Sequence, residues 1–157
     1  MRAVVGRAWS VAVAVLLAGC GPGAPEGPRG VLAADHEAAL EVAELPPGVD
    51  AGLVRTGAAV YHGPGGCHVC HAPDGTGARG VGADLTDATW WHSDGSWPAI
   101  IDQVKAGVDA AAAHNVWGAS MPPRGGSAIS DAQVEAVAAY VWSLRLVEPP
   151  APGPSGR

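Results

Sequence analysis

Two cysteines and a histidine that lie close together are the residues of this chain best suited to carry chemistry. Cys67, Cys70 and His71 belong to the sequence Cys-His-Val-Cys-His, in which two thiols are three positions apart and a histidine follows at once. This spacing is the attachment signature of c-type haem. Each thiol can add to one vinyl group of the porphyrin, and the next residue, His71, then lies under the iron as its proximal ligand. The sequence therefore predicts one covalently bound haem c.

Two other interpretations of the cysteine pair are weaker. A zinc site needs four ligands, and the chain has only one further cysteine, Cys20, which has a different explanation. A redox dithiol of the thioredoxin type is expected to follow a strand within alternating strands and helices. The sequence shows no such alternation, so haem attachment is favoured.

The N-terminal segment has the pattern of an export signal. Arg2 and Arg7 precede an apolar run over residues 8–18 that is too short to span a membrane. The run ends in Leu-Ala-Gly-Cys, which resembles a bacterial lipoprotein cleavage box. That resemblance implies that residues 1–19 are a signal peptide and that Cys20 is lipidated, whereas ordinary cleavage near Cys20 is the alternative. The expected location is the bacterial cell envelope, lipid-anchored to a membrane and facing the periplasm or the cell exterior.

Composition divides the remainder into three parts. Residues 20–48 are rich in Gly, Pro, Ala and Glu and are expected to form a flexible tether with a reach of about 30 Å. Within the tether only residues 31–45 could form a helix, with Asp35 as its candidate cap. Residues 49–146 are expected to form one domain, and residues 147–157 a disordered tail rich in Pro and Gly.

Helical signals, without any strand pattern, dominate the expected domain. Residues 50–62 and 97–106 are predicted helices, and Gly107 stands where a glycine would end the second. Ser130 and Gln133 form a capping box at the start of a third helix. An all-α fold follows.

This layout resembles that of the class I c-type cytochromes. The similarity is greatest to the haem domain of the c-type cytochrome subunits of cbb-type bacterial oxidases. The shared features are Asp-Gly-x-Gly at 74–77, Leu-Thr-Asp at 85–87 followed by Trp90, and Ala-Ala-Tyr-Val-Trp-Ser-Leu at 138–144. The resemblance covers residues 53–146. It implies the class I cytochrome c fold, with three to five helices wrapped around one haem.

The resemblance also implies roles for particular residues. Gly57 and Tyr61 of the first domain helix are expected to cross the last helix at Tyr140. Trp90 is a candidate partner for a haem propionate through its indole N–H, although a tryptophan at this place can equally be a core residue.

Met121 is the expected distal ligand of the iron. It is the only methionine that remains after signal removal, and Pro122 and Pro123 can hold its loop rigidly. The alternative is a methionine that only fills a gap in the core. His92 and His114 are competing ligands, but their sequence contexts favour surface positions.

Two features depart from the pattern of the family. No proline precedes Leu85, so a backbone carbonyl near Ala83 is expected to accept the ring proton of His71 instead. The segment 108–120 before the methionine is also longer than expected. The glycines of 75–80 match a dinucleotide-binding pattern on paper, but they follow no strand, so tight turns past the haem edge explain them better.

The charge balance narrows the classes of partner. The whole chain has a formal net charge of −6. Without residues 1–19, seven basic and fifteen acidic residues remain, a net charge of −8. This charge argues against nucleic acid and favours basic protein partners.

Together these features predict a membrane-anchored, monohaem carrier of single electrons in a bacterial respiratory or other redox chain. Redox proteins would be its partners, and it would be neither an enzyme nor a binder of a small-molecule substrate, because His71 and Met121 would close both faces of the iron. The alternatives are a bound haem subunit of a larger oxidase or dehydrogenase and a haem-based gas or redox sensor. A sensor would need a sixth ligand that can leave.

Overall fold

The computed structural model describes residues 32–115 and 117–147. These ranges contain five α-helices and two short 3-10 turns, at Pro123–Gly126 and Leu144–Leu146. The helices are α1 (Ala34–Val42), α2 (Ala51–His62), α3 (His68–His71), α4 (Trp97–Ala106) and α5 (Asp131–Ser143). No strand occurs in these ranges, where a single isolated antiparallel bridge joins Val108 to Met121. The predicted all-α class is confirmed.

The three predicted domain helices are present, and the last of them, α5, begins at its predicted capping box. The Asp50 side chain accepts a hydrogen bond from the backbone N–H of Leu53 at 2.7 Å. Ser130 and Gln133 form the reciprocal capping box at the start of α5. α4 ends at Gly107, whose φ of +74° is readily adopted only by glycine. The predicted start of α5 and the predicted end of α4 are thus confirmed, and Asp50 is a cap that the structure adds at the start of α2.

The crossing of α2 and α5 forms the centre of the core. Gly57 lies so close to α5 that an added Cβ atom would overlap the carbonyl oxygen of Ala136 and lie 2.8 Å from the Cβ of Tyr140. The rings of Tyr61 and Tyr140 meet edge to face with centroids 5.1 Å apart. This is the predicted crossing, and it requires a residue without a side chain at position 57.

α4 also packs against α5. The indole N–H of Trp97 donates to the carbonyl of Glu135 at 3.0 Å, and Lys105 forms an ion pair with Asp131 at 3.2 Å. Across residues 32–115 and 117–147, no helix has the length and apolar character that crossing a bilayer would require.

The expectation of a flexible tether is wrong for its C-terminal part, because α1 packs against the domain. Leu32 and Leu40 are buried in the common core. The Nε2 atom of His36 lies 2.9 Å from the hydroxyl of Ser143, and Glu37 pairs with Arg55 at 2.7 Å. Burial of the apolar residues and these polar contacts offset the chain entropy that was expected to keep the segment free.

Asp35 is also not the cap of α1. The N-cap is Ala33, which provides no side-chain hydrogen bond, and Asp35 lies inside the first turn, where it accepts from the backbone N–H of His36. An acidic residue in the first turn still interacts favourably with the helix dipole.

Candidate functional site

The cysteine and histidine residues singled out by the sequence lie on one short helical turn. Cys67 is the N-cap of α3, and the backbone N–H of His71 donates to the carbonyl of Cys67 at 2.9 Å. Neither Cys67 nor Cys70 forms a disulfide within the described residues. Cys67 is half-buried against the core, whereas Cys70 is exposed. Burial raises the pKa of the Cys67 thiol above its usual value.

The imidazole of His71 is held in one tautomer. Its Nδ1 lies 2.9 Å from the carbonyl oxygen of Ala83. Because a carbonyl only accepts hydrogen bonds, Nδ1 carries the proton and Nε2 keeps a free lone pair for a metal. Burial lowers the pKa of His71, although the Ala83 carbonyl opposes this effect. The neutral form that can bind a metal is therefore favoured. The expectation of an acceptor near Ala83 is confirmed, and the acceptor is Ala83 itself.

The glycine-rich loop folds back over the helical turn that carries the cysteines. The backbone N–H of Gly77 donates to the carbonyl of His71, and that of Ala78 to the carbonyl of Cys70, both at 2.9 Å. At Gly82 an added Cβ would overlap the carbonyl oxygen of Cys70. The glycines thus serve close backbone approach, which is what brings the Ala83 carbonyl to the ring of His71.

The residue after His71 adopts a strained conformation that the core stabilises. Ala72 has a φ of +63°, a region that residues with a side chain rarely adopt. The hydroxyl of the fully buried Tyr61 donates to the carbonyl of Ala72 at 2.7 Å. Sequence reasoning placed Tyr61 in the helix crossing and missed this second role, for which the sequence carries no signal.

Met121 lies on a separate loop whose backbone is fixed to the end of α4. Two hydrogen bonds join Met121 and Val108, from Val108 N–H at 2.7 Å and from Met121 N–H at 2.9 Å. The Met121 side chain is partly buried and borders the same hydrophobic core as Cys67 and Trp90. The fold thus places the proposed distal ligand, one of the two thiols and the candidate propionate partner around one core.

Trp90 is half-buried and packs against both the core and Gly95. An added Cβ at Gly95 would lie 2.6 Å from Cδ1 of the Trp90 ring. Core packing is therefore observed for Trp90, and a role toward a propionate stays a prediction.

The competing histidines are on the surface, as the sequence indicated. His92 and His114 are both exposed, with ring centroids 5.3 Å apart. The ring of His114 stacks on the exposed Trp91 at 4.5 Å. The two histidines thus interact with each other at the protein surface, and His114 also interacts with Trp91.

The donor set of this site fits haem c. Two thiols and an oriented neutral imidazole lie within a single helical turn. The thioether of Met121 borders the hydrophobic core that Cys67 also contacts. Thiols, imidazole and thioether are the groups that attach and ligate haem in c-type cytochromes. The geometry and the helical architecture together define the class as a c-type cytochrome domain, a haem-binding domain for electron transfer.

Comparison with known proteins places the chain in a family within that class. Residues 52–141 match the family described as cytochrome c oxidase, cbb3-type, subunit III, so the chain belongs to this family and has its class I cytochrome c fold. The cbb3-type cytochrome c oxidase subunit CcoP of Rubrivivax gelatinosus is 34% identical over 82 residues. That alignment covers 50% of this chain and 22% of CcoP, so the chain spans only about a fifth of this relative. No solved structure matches the chain.

Proposed function

We propose that this protein is a lipid-anchored monohaem cytochrome c that carries single electrons at the outer face of a bacterial membrane. Cys67 and Cys70 hold the haem by thioether bonds, and His71 and Met121 are the axial ligands of the iron. The observation that carries this proposal is the hydrogen bond from His71 to Ala83, because it places the ring proton on Nδ1 and leaves the lone pair of Nε2 free for iron.

Haem c supplies the iron that changes oxidation state when an electron arrives or leaves. The chain's own residues hold that iron in a fixed setting. The Ala83 carbonyl orients His71, the Tyr61 hydroxyl stabilises the turn that follows it, and the bridge to Val108 fixes the backbone of Met121. A thioether ligand raises the reduction potential, and a partly apolar surrounding favours the less charged reduced state. Redox proteins are the expected partners, and no substrate turnover is assigned to the domain alone.

The lipid anchor rests on the sequence. Cys20 and residues 1–19 lie outside the described residues, and so does most of the expected tail at 147–157. The anchor and the domain bounds, with the tether reduced to the residues before α1, are therefore part of the proposal.

A second candidate function is supported by the comparisons. CcoP is named as an oxidase subunit, and this favours a bound haem subunit of a larger oxidase as the second candidate. Identification of the proteins that copurify with the native protein after extraction from membranes distinguishes the two. Stoichiometric oxidase subunits would indicate a bound subunit, whereas a monomer free of other subunits would indicate a carrier.

Covalent attachment is tested by replacing both thiols. Protein denatured and run on a gel should keep haem-dependent peroxidase staining, because thioether bonds survive denaturation. Cys67→Ala combined with Cys70→Ala should lose the stain. Staining of the double variant at the wild-type level would refute attachment at these residues. Replacement of the unattached surface residue His114 by alanine serves as the control and should leave the stain intact.

A further inference from the structure

An arginine close to Met121 anchors the loop that carries the proposed distal ligand. Arg124 follows Pro122 and Pro123 and adopts φ +55° and ψ +28°, a left-handed conformation that residues with a side chain rarely occupy. Such a conformation persists only where surrounding contacts determine it. The contacts of Arg124 therefore bear on where the loop is held.

The guanidinium of Arg124 joins the loop to the start of α5. One nitrogen donates to the carbonyl of Ile129 at 2.9 Å, and another donates to the carboxylate of Asp131. The second oxygen of Asp131 accepts from Lys105 of α4 at 3.2 Å. The Arg124 side chain is only 30% exposed. The planar guanidinium can satisfy a carbonyl and a carboxylate together, which a lysine ammonium cannot do with the same geometry.

The other end of the same loop is fixed independently. An added Cβ at Gly107 would overlap the carbonyl oxygen of Met121 and lie 2.8 Å from the nitrogen of Pro123. With the bridge between Val108 and Met121, this contact holds the loop against the end of α4. The backbone of Met121 is thus held between the bridge on one side and Arg124 on the other.

We propose that Arg124 is a positioning residue for the axial ligand Met121. Its hydrogen bonds to Ile129 and Asp131 fix the loop so that the thioether stays on the iron in both oxidation states. Without them the loop moves away more often, and the sixth coordination position opens to other ligands. This inference rests on the proposed ligation by Met121. Arg124 would thus act on the iron site through the loop, without contacting the haem itself.

The test uses the full-length protein with haem attached. The ferric form is examined for the weak far-red band of sulfur-to-iron ligation, and the ferrous form for its affinity for carbon monoxide. Arg124→Gly removes the guanidinium but accepts the left-handed backbone, so it isolates the hydrogen bonds from the backbone strain. We expect a weaker band and an apparent affinity for carbon monoxide about tenfold higher, because this affinity scales with the fraction of molecules whose sixth position is open. Arg124→Lys keeps the charge opposite Asp131 and should fall between Arg124→Gly and the wild type.

Arg55→Ala is the matched control, because Arg55 also pairs with a carboxylate but belongs to α2 and contacts α1. It should lower stability without changing the band or the affinity for carbon monoxide. Asp131→Ala removes the carboxylate partner of Arg124 and leaves its bond to the Ile129 carbonyl; it replaces Arg124→Gly if that variant does not fold, with a smaller change in the same direction expected. The inference would be overturned if the variant tested had the far-red band and the carbon monoxide affinity of the wild type. Changes no larger than those of Arg55→Ala would overturn it too. Met121→Ala separates this result from the proposed function, because an unchanged band in Met121→Ala would refute ligation by Met121 itself.

Discussion

At the scale of single residues, the identity of the sixth ligand decides between a carrier and a sensor. Met121 borders the core, whereas His92 and His114 lie on the surface, where their rings are in contact and His114 stacks on Trp91. A carrier must keep both ligands when its oxidation state changes, and a gas sensor must release one. The fixed backbone of Met121 therefore favours a carrier.

Met121→Ala should abolish the sulfur-to-iron band, open the ferrous iron to carbon monoxide and lower the reduction potential, because the thioether stabilises the reduced state. Absorption spectra and a redox titration measure these changes. His92→Ala and His114→Ala serve as controls and should leave all three properties as in the wild type. Ready binding of carbon monoxide by the wild-type ferrous protein, or an altered spectrum in His114→Ala, would point to the sensor instead.

At the scale of elements, the crossing of α2 and α5 depends on a single glycine. Gly57→Ala would drive a methyl group into the Ala136 carbonyl, which is main chain and cannot rotate away. We expect the free energy of unfolding to fall by about 3 kcal/mol or more, since overpacking forces the two helices apart. Denaturant unfolding of the haem-loaded protein measures this free energy.

Gly52→Ala in the same helix is the control. Gly52 lies in the half-exposed first turn, so this change should be neutral or should stabilise the protein by up to about 1 kcal/mol. Equal effects of the two changes would contradict this account.

The docking of α1 should depend on pH through His36. Its side chain is buried against Ser143 and Tyr140, and desolvation lowers its pKa below 6.5, while Asp35 and Glu37 partly oppose this shift. From other elements, Arg55 of α2 faces this region through its ion pair with Glu37.

Because docking lowers the pKa of His36, the undocked histidine takes up a proton at a higher pH than the docked one. Docking is strongest above about pH 6.5 and weakens as the pH falls from there toward the lowered pKa, by at most about 1.4 kcal/mol per pH unit.

Hydrogen exchange of the α1 amides, corrected for the intrinsic effect of pH, measures this loss of docking. Protection of α1 should decrease between pH 7.5 and pH 5.5, while that of α4, which contains no histidine, stays nearly constant. His36→Phe removes the titrating group and should flatten the pH dependence of α1. The same slope in this variant would mean that another group is responsible.

At the scale of the whole molecule, the chain combines a compact haem domain with a proposed lipid anchor. Because α1 packs on the domain, the part of the expected tether from α1 onward does not act as a tether. If Cys20 is lipidated as proposed, this packing brings the domain nearer to the membrane surface than a tether over all of residues 20–48 would.

Lipidation of Cys20 should keep the protein on membranes through a salt wash, because two or more acyl chains give stable anchoring. Mass spectrometry of the mature N-terminus identifies the modification. Cys20→Ala should appear in the soluble fraction with its haem still attached, which separates anchoring from folding. An unmodified cysteine, or a mature N-terminus at another residue, would contradict the proposed anchor.

The sequence by itself determined the features that depend on neighbouring residues. The bounds of α2, α4 and α5 follow from caps and apolar spacing, and these signals act within a few residues. The Cys-x-x-Cys-His motif indicated haem for the same reason, since its chemistry requires only that the thiols and the imidazole share one turn. The family resemblance further predicted the meeting of Gly57 with α5.

Only the tertiary structure decided which distant groups meet. Ala83 reaches His71 because Gly77 and Gly82 allow the loop to fold back, and no local pattern marks one carbonyl among several. α1 packs against the domain because Leu40 enters the common core and because His36 meets Ser143, which is 107 residues away in the chain. Such contacts depend on the summed packing of the whole core, which short-range sequence signals do not contain.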